Sequence, residues 1–327
     1  MKRRDLMALG LATPFFGSAL AQDGAFPKRH VRLIAFGEPG GPLDILGRVF
    51  AEQLAKSWGQ PVVVETKPGA GGMIAADFVA KAPADGHTLL FTITHTQMVL
   101  PYLQKVPYDP IKDFQPLTPV GVGGPVLMVR ADTPVSNVQE FVAWAKAKGR
   151  ITCGTWGQGT AAHLYTELLR KQTGAPLDHV PYKGQGQAHI DLFGGVLDAA
   201  WANPATAKVH LQDPKGGQPK VRVIAIAGSQ RSGTLPDVPT FVEQGFKGGF
   251  ETESWFGFLA PAKTPRPIVD KIVAGLHEIA KTPEVRQRLV DLGLTPVAQS
   301  PEQFAQSQQK ELPQWEALIS AAGMAVP

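Results

Sequence analysis

Two segments of this chain share one construction: a short apolar run, a glycine-rich turn and then an amphipathic helix. The first has its run at 31–36 and its predicted helix at 43–56, and the second has them at 151–153 and 161–173. A glycine-rich turn that feeds a helix leaves backbone N–H groups free at the positive end of the helix dipole, which favours an anion. The repeat therefore predicts two lobes that close on one anionic molecule. Ordinary βα turns of an α/β fold have the same pattern, so each loop alone fits either interpretation.

The first 21 residues are typical of a secretory signal peptide. Three basic residues, Lys2, Arg3 and Arg4, precede a short apolar stretch, and Ala19-Leu20-Ala21 forms a small-x-small cleavage site before Gln22. The stretch is too short and too interrupted to serve as a stable membrane anchor. We expect export to the periplasm by the Sec or the twin-arginine route, with a mature N-terminus at Gln22.

Composition and motifs exclude several classes of function. The net charge of the 327 residues is +4, and the signal peptide holds half of it, so the mature chain is nearly neutral. Because basic residues do not cluster with aromatic ones, nucleic acid is not an expected partner. The single cysteine, Cys153, lies in an apolar run, which favours a buried thiol over a reactive one. Hydrolase, zinc-protease and P-loop motifs are absent from the sequence, so we expect no enzyme, no metal and no cofactor.

Strand-like and helix-like segments alternate along the rest of the chain, which predicts parallel sheets covered by helices. The apolar runs 126–129 and 255–261 are each followed by a turn with proline and then a helix, and we predict that they cross between the lobes. Lobe 1 is then 22–125 plus 251–327, and lobe 2 is 126–250. The segment 108–114 is expected to be a connection, and 267–323 is expected to be helical.

The order of the short motifs resembles the Bug-type extracytoplasmic solute receptors of the tripartite tricarboxylate transporter family. Each motif is weak alone, but together they cover nearly the whole mature sequence. They are Val31-Arg32-Leu33-Ile34, Pro39-Gly40-Gly41-Pro42-Leu43-Asp44, Gly59-Gln60-Pro61-Val62, Lys67-Pro68-Gly69-Ala70-Gly71-Gly72, Ala82-Pro83-Ala84-Asp85-Gly86, Gly157-Gln158-Gly159-Thr160, Val180-Pro181-Tyr182-Lys183-Gly184, Leu235-Pro236-Asp237-Val238-Pro239 and Ser254-Trp255-Phe256-Gly257.

The resemblance implies a type II periplasmic binding protein, in which two doubly wound α/β lobes are joined by two crossover strands. It implies a monomeric receptor without catalysis or cofactor. Such a receptor captures a small organic anion, a mono- or dicarboxylate that is aliphatic or aromatic, and delivers it to the membrane subunits of a tripartite tricarboxylate-type secondary transporter. A ligand sensor that signals to a membrane protein has the same fold and pocket, and it stays the alternative.

Candidate ligand contacts lie in the glycine-rich loops and at the predicted carboxyl ends of strands, where open α/β sheets bind their ligands. In lobe 1 they are Phe36, Glu38, Gly40, Gly41, Thr94 and His95, and in lobe 2 they are Thr155, Trp156, Gly157, Gly159, Thr160, Lys183, Gly184, Trp201 and Asn203. Asp44 and His163 are expected to support the loops rather than to touch the anion.

Several of these residues allow a second interpretation. Glu38 is either a solvated loop residue or a contact to a protonated group of the ligand, because a carboxylate beside an anion site is otherwise unfavourable. His95 fits packing and capping as well as ligand binding. Trp156 and Trp201 either stack on a planar ligand or belong to the core between the lobes.

Overall fold

A computed structural model describes residues 26–36, 41–211 and 218–324. The predicted signal peptide and the cleavage site lie outside these ranges, as do Glu38 and Gly40 of the first glycine-rich loop. Within the described ranges, none of the helices is both long and apolar enough to cross a membrane.

Eleven strands and ten helices alternate along the described chain. The strands are β1 (Val31–Ala35), β2 (Val62–Thr66), β3 (Thr88–Ile93), β4 (Phe114–Gly123), β5 (Val126–Arg130), β6 (Ile151–Thr155), β7 (Leu177–Pro181), β8 (Ala199–Ala202), β9 (Val221–Ile226), β10 (Ser254–Pro261) and β11 (Thr295–Pro296). The helices are α1 (Pro42–Trp58), α2 (Met73–Ala80), α3 (Leu100–Leu103), α4 (Val138–Lys148), α5 (Ala161–Thr173), α6 (Gln185–Phe193), α7 (Pro204–Leu211), α8 (Arg266–Lys281), α9 (Pro283–Asp291) and α10 (Pro301–Ala321). A 3-10 turn at Ala70–Gly72 precedes α2, and a π-helical turn at His95–Val99 precedes α3.

The strands form two separate sheets, which confirms the predicted α/β fold class. The first has the order β11-β4-β10-β3-β1-β2, and the second has the order β7-β6-β8-β5-β9. The chain passes from the first sheet to the second between β4 and β5, and it returns between β9 and β10. All strands of the first sheet lie in the range predicted for lobe 1, and all strands of the second lie in the range predicted for lobe 2. We therefore use the names lobe 1 and lobe 2 for these ranges.

The strand register shows where the carboxyl ends of both sheets point. In the first sheet β10 starts next to the crossing, and its Phe256 pairs with Ile93 at the end of β3. Because β1 and β2 run parallel to β3, all three end on the side of the crossing. In the second sheet Val126, the first residue of β5, pairs with Ala202, the last of β8, and β6 and β7 are parallel to β8. The parallel strands of both lobes therefore end toward the junction.

Amphipathic helices cover the sheets as their periodicity predicts. In α8 the buried residues Val269, Ile272, Val273 and Leu276 repeat at helical spacing and face the core of the first sheet. The last helix, α10, belongs to both sides of the junction. It packs on β4 and on the π-helical turn, and its far half packs on α5 of the second sheet.

The segment 108–114 is a connection up to Asp113, as predicted. It leads into β4, a strand of ten residues between β11 and β10. The strand contains Pro116 and Pro119, which normally argue against a strand in the middle of a sheet. The helices α3 and α7 and the short strand β11 were also not predicted.

Candidate functional site

Four helices that start at the junction share one property: they have no side-chain cap. The N-cap residues are Gly41 for α1, Gly72 for α2, Thr160 for α5 and Gly184 for α6, and none accepts a capping hydrogen bond through its side chain. Three helices that start elsewhere, α4, α9 and α10, are capped by Asn137, Thr282 and Ser300. The helix α8, which starts after Pro265 at the far end of β10, is also uncapped. The first backbone N–H groups of a helix have no intrahelical acceptor, so the starts of α1, α5 and α6 offer donors to an anion. In α2 the N–H of Met73 already donates to the carbonyl of Ala70 in the preceding 3-10 turn.

In lobe 1 the first glycine-rich loop joins the end of β1 to α1. Phe36 follows β1, and Gly41 adopts an extended conformation one residue before the helix. Asp44, in the first turn of α1, is buried and accepts a hydrogen bond from Arg48 Nε at 2.9 Å. An ion pair within its own helix fits the supporting role that the sequence predicts for Asp44, while Glu38 and Gly40 stay predictions.

A second glycine-rich loop of lobe 1, at Lys67-Pro68-Gly69-Ala70-Gly71-Gly72, was not among the predicted ligand loops. Gly69, Gly71 and Gly72 all have positive φ, and so does Ala70, at +46°. The loop lies against Phe36 and the π-helical turn, since a Cβ on Gly72 would be 2.8 Å from the Phe36 ring. The run Pro68-Gly69-Ala70-Gly71-Gly72 is a glycine-rich turn before an apolar helix, which is the pattern of the two predicted loops. The same pattern could therefore have predicted this loop from the sequence.

His95 is held neutral beside this second loop. Burial lowers the pKa of His95 to about 4. A Cβ on Gly71 would be 3.1 Å from His95 Nε2, so the imidazole lies directly against the loop backbone. Its Nδ1 is buried, and none of the described residues forms a hydrogen bond with it. The neutral ring therefore adds no charge to the junction, and its Nδ1 is enclosed by the protein.

Thr94 has a different role from the predicted contact with the ligand. Its side chain is fully buried, and its Oγ1 accepts a hydrogen bond from the backbone N–H of Trp255 at 2.7 Å. Trp255 is in β10, close to the return crossing between the sheets. The hydroxyl of Thr94 therefore fastens the end of β3 to the crossing, because a buried strand end must satisfy the N–H groups around it.

The lobe 2 loop between β6 and α5 is shaped by its own side chains. Thr160 Oγ1 donates to the carbonyl of Gly157 at 2.7 Å, and the N–H of Gly159 donates to His163 Nδ1 at 3.1 Å. Thr155 is fully buried, and its Oγ1 lies 2.6 Å from His179 Nε2. Three polar side chains are thus occupied inside the loop. Their arrangement leaves the first N–H groups of α5 as the donors for an anion.

Two histidines stack beneath this loop. The rings of His163 and His179 are 3.6 Å apart at an angle of 13°. Burial, with a contribution from His163, lowers the pKa of His179 to about 4, and burial also lowers the pKa of His163. The N–H of Gly159 requires an unprotonated His163 Nδ1, so the loop has its shape only while that ring is neutral. This arrangement fits the supporting role predicted for His163. His179 was not predicted, because nothing in its local sequence distinguishes it from other histidines.

In lobe 2, a hydrogen bond joins the start of α6, which follows Gly184, to Asn203 after β8. Gln185, the first residue of α6, accepts a hydrogen bond from the N–H of Asn203 at 3.1 Å through its Oε1. Its Nε2 donates to Thr206 Oγ1 at 3.2 Å. Lys183, just before Gly184, is exposed. Gln185 therefore lies with the predicted residues at the carboxyl ends of β7 and β8. It was not predicted, because a glutamine at this position is common in ordinary helices.

The two tryptophans differ in their surroundings. Trp201 is fully buried, its Nε1 donates to Thr166 Oγ1 at 2.8 Å, and its ring stacks near Phe241 at 5.8 Å. It is a core residue of lobe 2, so contact between its indole and a ligand is not supported, because the ring fills the space under the sheet. Trp156 is half-buried in the loop before α5 and packs on the cluster at the junction.

The described residues provide neither a metal site nor a reactive thiol. Within those ranges no group of three or more His, Cys, Asp or Glu side chains is placed to hold a metal ion. Cys153 is buried, and burial raises the pKa of its thiol to about 12. A thiol with such a pKa stays protonated near neutral pH and is a poor nucleophile.

Comparison with known proteins gives a family match and several solved structures. The model of the family described as "Tripartite tricarboxylate transporter family receptor" matches residues 46–324. The structure of the periplasmic binding protein BugD is similar to this chain with a TM-score of 0.73 and 34% identity, and the match covers 92% of this chain and 99% of BugD.

Two further structures contain bound dicarboxylates. Rpa4515 of R. palustris with adipate has a TM-score of 0.77 and 30% identity, covering 92% of this chain and 99% of that one. MatC of Rhodopseudomonas palustris with malate has a TM-score of 0.74 and 33% identity, covering 90% of this chain and all of that one.

Proposed function

Because the chain belongs to the tripartite tricarboxylate transporter receptor family, whose members are solute-binding receptors and not enzymes, we propose that it captures a small organic carboxylate between its two lobes. We further propose that it works in the periplasm and delivers this ligand to the membrane subunits of a transporter of that type. The periplasmic location rests on the predicted signal peptide and on the similarity to periplasmic BugD.

The set of uncapped helix starts at the junction is the observation that carries this proposal. The start of α5 follows a loop whose hydroxyl and imidazole groups are used internally, so its backbone donors are free for one carboxylate. A helix dipole favours an anion at this end by about 0.3–2 kcal/mol. On the other lobe, the uncapped start of α1 supplies donors for the far end of the ligand.

The bound carboxylates of two relatives support the ligand class. Malate and adipate both carry a carboxylate at each end, and two donor-lined lobes suit such a molecule. We include flat aromatic acids in the proposed class of ligand, because the half-buried indole of Trp156 beside the α5 loop offers a face on which an aromatic ring can stack.

Thermal unfolding with a series of acids tests the proposal. Malate, adipate and benzoate, added separately to the mature protein, are compared with the neutral sugar glucose. A ligand that binds only the folded state raises the melting temperature. A rise with at least one acid and none with glucose is expected, and a rise with glucose alone refutes the anion site.

A pair of variants at the start of α5 makes the test specific. Ala161 is the first residue of the helix. Ala161→Asp adds a negative charge beside the free N–H groups and is expected to abolish acid binding, whereas the neutral and nearly isosteric Ala161→Asn retains part of it. Equal affinities of the two variants in calorimetry would remove the α5 start from the site.

A further inference from the structure

The segment 94–103, which we call the arm, runs from the end of β3 to the end of α3. Its base is fastened at three points. Thr94 Oγ1 accepts the N–H of Trp255 at 2.7 Å, Thr96 Oγ1 donates to the carbonyl of Gly71 at 3.0 Å, and the Tyr108 hydroxyl donates to the carbonyl of Thr96 at 2.7 Å. The base of the arm is therefore rigid with respect to lobe 1.

The tip of the arm crosses the junction and touches the binding loop of lobe 2. A Cβ built on Gly159 would lie 2.6 Å from Leu103 Cδ1, closer than real side chains approach one another. Gly159 also has a φ of +78°, where a side chain is strained. Leu103 packs on the same cluster as Trp156 and Ala161 of the facing loop. The close approach is possible only because position 159 has no side chain.

We propose that Leu103 and Gly159 form a latch that holds the two lobes together and thereby positions the α5 loop for its ligand. The proposal rests on the proposed function only in that this loop is the anion site. Gly159 acts here through its shape, since its N–H is already used by His163. Leu103 is a positioning residue that acts through apolar contact and does not touch the ligand.

An apolar contact of this kind has a definite energetic consequence. If the contact exists only when the lobes are together, its loss shifts the population toward separated lobes. The observed affinity then falls in proportion to the fraction of molecules whose lobes are together and able to bind the ligand. Removing a leucine side chain from such a contact is expected to weaken binding about tenfold, which corresponds to about 1.4 kcal/mol.

The distance between the lobes, measured by pulsed electron paramagnetic resonance without ligand, tests the latch directly. Spin labels are placed on Ser57→Cys in α1 and Ala147→Cys in α4, both of which are exposed, while buried Cys153 stays unlabelled. Gly159→Ala is expected to lengthen the mean distance, because the new methyl group meets Leu103. Adding Leu103→Ala to Gly159→Ala removes the clash and is expected to restore a distance equal to that of Leu103→Ala alone.

Gly157→Ala is the matched control for backbone strain. Gly157 lies on the same loop at a φ of +133°, but its nearest neighbours would be 3.7 Å from a new Cβ, and they belong to lobe 2. This variant is expected to leave the distance between the lobes unchanged. Adding Leu103→Ala to it is expected to lengthen the distance as much as Leu103→Ala does in the native protein, because the latch is intact in Gly157→Ala.

Each outcome decides one of the two proposals. An unchanged distance in Gly159→Ala overturns the latch, and so does a double variant whose distance stays longer than that of Leu103→Ala alone. An equal lengthening in Gly157→Ala also overturns it, because strain alone then explains the change. If the native protein binds none of malate, adipate and benzoate, the proposed function fails, whereas the distances measured without ligand still decide the latch.

Discussion

Trp201→Phe is expected to lower the stability of lobe 2 and to leave ligand affinity unchanged. The indole is fully buried between Tyr165 and Phe241, and its N–H donates to Thr166. Phenylalanine keeps the stacked ring but removes three heavy atoms and the hydrogen bond. The hydroxyl of Thr166 keeps its own acceptor, the carbonyl of Ala162 at 2.8 Å, so no buried donor is stranded.

The size of the effect follows from these two losses. The smaller ring forfeits about 2 kcal/mol of burial, at about 0.8 kcal/mol for each carbon-sized group. The hydrogen bond contributes about 0.5–1.5 kcal/mol, and partial relaxation of the core reduces the sum to about 2–3 kcal/mol. With an unfolding entropy of about 2.1 cal/mol/K per residue, the melting temperature falls by about 4 °C if the whole chain unfolds together. It falls by about 10 °C if lobe 2, with about 125 residues, unfolds alone.

Differential scanning calorimetry and titration with the best acid measure the two halves of this prediction. Trp144→Phe is the matched control, because Trp144 is a half-buried tryptophan of α4 on the same lobe and is expected to lower the melting temperature less. An unchanged melting temperature in Trp201→Phe would contradict the core assignment. A Kd that rises tenfold with unchanged melting would return Trp201 to the ligand site.

Three further outcomes are expected. Trp156→Ala weakens the binding of an aromatic acid by more than about 1 kcal/mol in calorimetry and the binding of malate by less, because only a flat ligand stacks on the indole. Gly72→Ala destabilises the protein far more in urea unfolding than Gly59→Ala. Both glycines have positive φ, but a Cβ on Gly72 meets Thr96 Oγ1 at 2.5 Å, whereas one on Gly59 meets nothing within 4 Å. Burial, together with the neighbouring Glu253 carboxylate, raises the pKa of Glu311 to about 7. As pH rises, Glu311 therefore loses its proton at a lower pH in the unfolded chain than in the folded one. The contribution of this residue to the free energy of unfolding is lost as pH rises from about 4.5 through 7. Glu311→Gln is therefore expected to gain stability relative to the native protein between pH 5 and pH 8, and an identical change of unfolding free energy with pH in both proteins would refute the role of Glu311.

The sequence alone determined the class of fold and the places where a ligand is expected. Strands and helices with a clear period, such as β1, α1, β6 and α5, were predicted within a few residues, because burial of one face imposes that period whatever the tertiary context. The glycine-rich turn before α5 was found for a similar reason, since Gly157 and Gly159 have positive φ angles, which glycine adopts without strain.

The tertiary structure decided what local signals could not. The strand β4 was missed because Pro116 and Pro119 argue against a strand, yet both lie where its register with β10 shifts, so the irregular ladder there tolerates residues without an N–H. Thr94 and Trp201 were chosen for their chemistry, but their partners are 161 and 35 residues away in the chain, at Trp255 and Thr166. A side chain's role depends on what packs against it, and only folding brings such distant partners into contact.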